Sequence, residues 1–100
     1  MITIPQLLKQ LNIPSAYGYH STNVEPPYLV YLGAGQQQFN ADNTYYTKRN
    51  EYQIEYYFKK KNSAFEETIE SLLLSNGYPY EKSEDIYIES EDVFVIYYTV

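Results

Sequence analysis

The residues that could do chemistry are few and scattered. The one histidine, His20, lies in a stretch rich in Ser, Asn, Gly and Pro, and the chain has no cysteine. A lone His without Cys or paired carboxylates at ligand spacing reads as a surface or hydrogen-bonded residue, not a catalyst. Gly33-Ala-Gly35 begins like a phosphate loop, but the third Gly, the Lys-Ser/Thr ending and the following helix are missing. Lys59, Lys60 and Lys61 form a basic run beside an acidic stretch, the ordinary pattern of a solvated strand end. Glu81, Glu84, Asp85, Glu89, Glu91 and Asp92 crowd one region with only Lys82 opposite them, yet the Asp-x-Asp-x-Asn-Gly spacing of a calcium loop is absent. These acids read as a solvated hairpin whose charge resists edge-to-edge association. There is no Gly-x-Ser-x-Gly and no carboxylate pair in an apolar frame, so no nucleophile, base and orienting group can be assembled. The expectation is a non-enzymatic protein with no catalytic residue, cofactor or metal.

Bulk properties narrow the class further. The 100 residues suit one domain, 1–100, with a modest two-layer core, and 44% hydrophobic content argues for a folded chain. A formal net charge of -6 and a pI near 4.6 argue against a general polyanion binder, because phosphate contacts need clustered Lys and Arg. No apolar run approaches the ~18 residues of a membrane span, and Met1-Ile-Thr-Ile-Pro5 lacks the charged start and long apolar core of a signal peptide. The absence of cysteine is compatible with synthesis in a reducing cytoplasm. Tyrosine is the unusual residue, with 14 Tyr against 4 Phe and no Trp. Tyr is a good strand former, but so many amphipathic rings overfill one small core. Some are expected on surface that a partner can cover.

The elements that must position these residues follow from periodicity. Glu51 to Phe58 alternates, with Tyr52, Ile54, Tyr56 and Phe58 on one face and Glu51, Gln53 and Glu55 on the other, as in a half-buried antiparallel strand. From Ser63 to Gly77 the period becomes helical. Phe65, Ile69, Leu72 and Leu73 share a stripe, and Glu66, Glu67 and Glu70 are expected to point away from it. Ser63 and Glu66 have the spacing of a capping box, and Asn76-Gly77 supplies a left-handed stop. Near the start, Thr3, Pro5 and Gln6 open a short helix with the stripe Ile4, Leu7, Leu8 and Leu11, ended by Asn12-Ile13-Pro14. Ser15 to Pro27 reads as a loop. Tyr28 to Leu32 is a strand apolar on both faces, which suggests a central position or a covered outer face. Gly33 to Asn43 reads as a long polar loop, with Phe39 either an anchor for a partner or folded back on its own sheet edge. Thr44 to Thr47 is strand-like, and Lys48-Arg49-Asn50 is expected to bulge or turn and reset the register. Ile86 to Ile88 and Val93 to Val100 form a last hairpin, its final strand interior or covered by another subunit. The fold expected is α+β, an antiparallel sheet of about four strands with two helices on one face, in the order α-β-β-α-β-β.

Pro26-Pro-Tyr-Leu-Val-Tyr31, Ala41-Asp-Asn43, Lys48-Arg-Asn-Glu-Tyr-Gln-Ile-Glu-Tyr56, Phe65-Glu-Glu67, Asn76-Gly77 and Glu81-Lys-Ser-Glu-Asp85, in this order of elements, carry a further likeness. Over nearly its whole length the chain resembles the small tail-terminator and tail-completion (head–tail joining, neck) proteins of long-tailed bacteriophages and Gram-positive prophages. The motifs are structural, not chemical. The resemblance implies a virion protein made in the bacterial host cytoplasm. Such a protein forms a ring with copies of itself, commonly six-fold, that caps the tail tube and docks the head connector. Its partners would be tail-tube and connector proteins, with no membrane and no sequence-specific nucleic acid. Ring closure needs two different adhesive surfaces per subunit; the residues expected there are Gln36, Gln37, Gln38, Phe39, Tyr45, Tyr57 and Tyr98. An acidic lumen would let DNA pass, since like charges repel. The alternative is a monomeric module that holds a peptide or nucleic acid on a Tyr-rich sheet face, although single-strand binders add a basic groove and here 13 acids face 7 bases.

Overall fold

The structure is a computed structural model in which residues 2–38 and 48–100 are described. It begins with helix α1 (Ile4–Lys9). The Thr3 side chain accepts from the Gln6 amide, and Gln6 Oε1 accepts from the Thr3 amide at 3.1 Å, so both members of the capping box are present. Asn12, in the left-handed region at φ 60°, turns the chain out of the helix.

Six strands follow: β1 (Ser15–Tyr17), β2 (Tyr28–Gln38), β3 (Lys48–Phe58), β4 (Glu81–Lys82), β5 (Ile86–Ile88) and β6 (Val93–Thr99), with helix α2 (Ser63–Ser75) between β3 and β4. The order across the sheet is β1-β2-β3-β6, with β4 and β5 both on the far edge of β6. The α+β class therefore stands, and the count and direction of strands change. Among the described residues the sheet has six strands and is mixed, because β1 runs parallel to β2 while the other pairings are antiparallel. β1 falls inside the stretch expected to be loop. It is three residues long, and its pairing with Leu29–Tyr31 comes from tertiary contact, not from a local pattern.

The expected loop after Leu32 is also corrected, because β2 continues through Gly33 to Gln38, paired with β3 from Glu51 to Lys48. The register shift lies between Gly33 and Gly35, not at Lys48-Arg49-Asn50, which are regular β3 residues. β1 ends at Tyr17, and the β6 partners of β3 end at Gln53, so β2 and β3 run on as a two-stranded arm flanked by no other described strand. From Gly33 to Gln38 the arm reaches roughly 17 Å at the rise of an extended strand.

Both helices cover one face of the sheet. Ile4, Leu7, Leu8 and Leu11 from the α1 segment and Ile69 and Leu73 from α2 form one buried cluster with Leu29, Ile54, Tyr56, Phe58, Ile96 and Tyr98. This is the alternation expected of β3, with Tyr52 partly buried at its end. β6 is interior, as its two apolar faces require. α2 departs from expectation at its start. Its N-cap is Asn62, whose Oδ1 accepts from the Phe65 amide at 3.1 Å, and Ser63 is already inside the helix. Glu66 is thereby free of a capping role, and it is buried at 3% exposure instead of facing solvent. Gly77, at φ 82°, provides the expected left-handed stop.

Candidate functional site

Two polar assemblies stand out, one on each face of the sheet. On the helix face, Glu66 and Glu70 lie one turn apart on α2 and meet two lysines. Lys61 Nζ is 2.8 Å from Glu66 Oε2 and 3.0 Å from Asp85 Oδ2, and Lys82 Nζ is 3.0 Å from Glu66 Oε1 and 2.7 Å from Glu70 Oε2. The Lys61 approach to Oε2 is too oblique for a hydrogen bond, so charge alone holds that oxygen. Tyr98 Oη donates to Glu70 at 2.8 Å and Tyr80 Oη at 3.3 Å. Burial pushes the Glu70 carboxyl up, but hydrogen bonds from Lys82, Tyr98 and Tyr80 and the Lys82 charge outweigh it, and the net shift is downward. Burial and then the Glu70 contact hold the Tyr98 phenol far above the ordinary tyrosine range. Every charged member is ion-paired with another, and the assembly ties β4 and the residues after it to α2. That is a fastening, with no open position for a substrate.

The opposite face carries a cleft of about 490 Å³. Its floor is the outer side of β2 and β3, where register places Tyr28 against Tyr57 and Val30 against Glu55. Its wall is the 18–27 loop, and Glu91 and Val93 close one end. The Tyr28 and Tyr57 rings stack with centroids 4.8 Å apart and planes 19° apart, and the His20 ring meets Tyr28 edge-on at 5.1 Å. Tyr57 Oη donates to Glu55 Oε1 at 2.7 Å, and Gln53 Nε2 donates to Glu55 Oε2 at 3.2 Å. Burial first, then this bond and the Glu55 charge, hold the Tyr57 phenol protonated far above its ordinary range. Tyr28 is raised by burial and then by the charges of Glu91 and Glu55. His20 Nε2 lies 3.0 Å from the Leu29 carbonyl oxygen. A carbonyl can only accept, so that nitrogen carries the proton, and the ring is fixed as part of the wall.

The residues singled out from the sequence separate widely. Tyr57 lines the cleft. Gln36, Gln37 and Gln38 lie in the arm, opposite Asn50, Arg49 and Lys48. Phe39 and Tyr45 lie outside the described residues. Tyr98, expected at a partner surface, is buried at 0% exposure because its ring faces the helices and its hydroxyl is taken by Glu70. The exposed large apolar side chains among the described residues are instead Tyr17, Tyr19, Leu74 and Tyr87. Tyr17 is on β1 and Tyr87 on β5, at opposite edges of the sheet. The cleft residues His20, Tyr28, Glu55 and Glu91 are far apart in the sequence and form no motif there. Glu55 and Tyr57 share the solvent side of an alternating strand, which is readable, but the strand register that adds Tyr28 and the turn that adds Glu91 are not.

Among the described residues no three His, Asp or Glu side chains converge to hold a metal ion, and no described helix is long and apolar enough to cross a membrane. No protein-family model matches the chain and no curated protein matches it, so the roles assigned to these residues rest on geometry and chemistry alone.

Proposed function

We propose that this chain is a non-enzymatic structural protein of a phage or prophage virion, a tail-terminator or head–tail joining component. It works by assembling with copies of itself into a ring that docks the tail tube or the connector. The observation that carries the reading is that adhesive surface lies at both lateral edges of one sheet. Tyr17 and Tyr19, 62% and 75% exposed, stand at the β1 edge, and Tyr87, 49% exposed, stands at the β5 edge. A head-to-tail contact joins two different surfaces of the subunit, and repetition of that contact closes a ring. The arm adds strand edges that no other described strand pairs, the usual template for pairing with another chain. An acidic protein of net charge -6 lining a channel would repel passing DNA.

Light scattering on the purified chain, alone and mixed with the tail-tube and connector proteins of its own genome, tests this. A discrete ring, formed alone or on addition of the tail-tube protein, is expected. A monomer under every condition, with flanking genes that encode no virion components, rejects it. The cleft on the outer face favours the second reading, a monomeric module that holds a peptide on its Tyr-bearing sheet. That module stays monomeric and binds peptide without any tail component.

A further inference from the structure

We propose that the cleft between the 18–27 loop and the outer sheet face is a binding site for a guanidinium group, the side chain of an arginine on a partner polypeptide. The proposal goes beyond the reading of the chain as a neck protein and stands whether or not the chain forms a ring.

Size admits such a ligand. The cleft holds about 490 Å³, within the usual range of small-ligand sites. Its charge selects the sign. Glu25, Glu55 and Glu91 line it, against Lys59 as the one lysine in the lining. Among the described residues the ion pairs formed involve Glu66, Glu70 and Asp85, and none involves the three carboxylates of the cleft. Each Glu55 oxygen accepts a single described bond, one from Tyr57 and one from Gln53, which leaves each a lone pair for a further donor. The charges of Glu91 and Glu55 both act on the Tyr28 hydroxyl, so their fields overlap over the aromatic floor.

The aromatic floor selects the kind of cation. Tyr28 and Tyr57 form a stacked pair and His20 stands edge-on to it, so aromatic rings lie beside the Glu55 carboxylate in a lining completed by the polar 18–27 loop. A divalent metal needs convergent oxygen ligands, and no group of three is present among the described residues. A lysine ammonium is compact and strongly hydrated. A guanidinium is flat, weakly hydrated, stacks on aromatic faces and presents a fork that matches a carboxylate. Phosphate and other anions are repelled by the same three acids.

The test is a titration of the isotopically labelled full chain, followed by amide chemical shifts, with N-acetyl-arginine amide. N-acetyl-citrulline amide, of nearly the same shape but uncharged, is the control. Saturable shifts at His20, Tyr28, Glu55, Tyr57 and Glu91 are expected with the arginine derivative, and binding of citrulline at least about tenfold weaker. Glu91→Gln, an exposed position in a turn, is expected to weaken arginine binding about threefold, and Tyr57→Leu by a similar factor through loss of the ring face. Loss of binding in Tyr57→Leu counts only if its amide spectrum is otherwise unchanged; Glu91→Gln keeps the test decisive if it is not. Equal binding of arginine and citrulline overturns the proposal. So does an unchanged affinity in Glu91→Gln, or a response at the Glu81–Asp85 acids that matches the response in the cleft.

Discussion

The Glu66 carboxylate sits between two ammonium groups whose stems lead to solvent. Its side chain is 4% exposed, while those of Lys61 and Lys82 are 47% and 33% exposed. The asymmetry decides which change is costly. Removing the carboxylate frees two lysines that can turn to water, whereas removing both lysines strands a buried charge. Lys61→Ala with Lys82→Ala is therefore expected to destabilise the fold by about 3 kcal/mol. Glu66→Met, apolar and of similar volume, is expected to stay within about 1 kcal/mol of the parent. Urea unfolding midpoints at neutral pH measure both. Glu70 adds a pH dependence. Its folded-state pKa lies below the ordinary 4.5, so the stability it contributes is complete above that value and is lost as the pH falls through the lower folded value. Unfolding midpoints should fall on acidification below about pH 4.5, and Lys82→Met, which removes the cation responsible for much of the lowering, should flatten that fall. Lys61 and Lys82, raised by hydrogen bonds to Glu66 and Glu70 respectively, contribute in the opposite window. Their part is complete below the ordinary lysine range and disappears as the pH rises through the higher folded values.

At the scale of elements, the two ends of α2 are set by single residues. Asn62 caps the first turn through its side chain and Gly77 takes the left-handed conformation at the last. Asn62→Ala and Gly77→Ala are each expected to cost about 1 kcal/mol, read as a lowered melting temperature with the fold unchanged. The sequence makes some of this legible and hides the rest for physical reasons. α1 with its Thr3 and Gln6 box, the Ile54–Tyr56–Phe58 face of β3, the Gly77 stop and the two apolar faces of β6 all follow from local pattern, because local chemistry determines them; that β6 is interior and not a covered edge comes from its pairing. β1 does not, since three residues of Ser15-Ala-Tyr17 have no period and exist as strand only by pairing with β2. The run from Gly33 to Gln38 has turn-like composition, yet cross-strand pairing with Lys48–Glu51 overrides it. The helical period places Glu66 on the solvent side, where a charge ordinarily lies. Two lysines distant in the helical pattern, at positions 61 and 82, reverse that. The cleft was hidden for the same reason as β1, because it gathers residues from a loop, two strands and a turn, and only register brings them together.

For the whole molecule, most of the described tyrosine rings are at least partly sheltered, and Tyr17, Tyr19 and Tyr87 are the exposed ones among them. Tyr17 rests edge-on against Tyr31 at 5.5 Å, so changing it disturbs the sheet. Tyr19 is the cleaner probe at that edge; at the other, Tyr87 packs its ring against Phe94 at 5.0 Å and donates its hydroxyl to Asp92 at 2.7 Å, so its replacement also loosens the β5–β6 pairing. If the two edges meet in a head-to-tail contact, Tyr19→Ser and Tyr87→Ser should each abolish the ring while the monomer keeps its circular dichroism spectrum, with stability within about 0.5 kcal/mol of the parent for Tyr19→Ser and about 1 kcal/mol lower for Tyr87→Ser. An equimolar mixture of the two variants retains one intact edge on each molecule, so it should stop at dimers in sedimentation velocity.

The arm has a kinetic consequence of its own. Amide protons from Ile54 to Phe58 belong to a strand held between β2 and β6, so their release to solvent requires cooperative opening of the core. Those of Gly35 to Gln38 and Lys48 to Asn50 depend on a single ladder with no third described strand beside it. Deuterium should therefore enter the isolated chain at the distal hairpin first, orders of magnitude sooner than at Ile54. If that hairpin is the part a neighbour grips, the same amides should be the ones whose exchange slows most when the partner arrives.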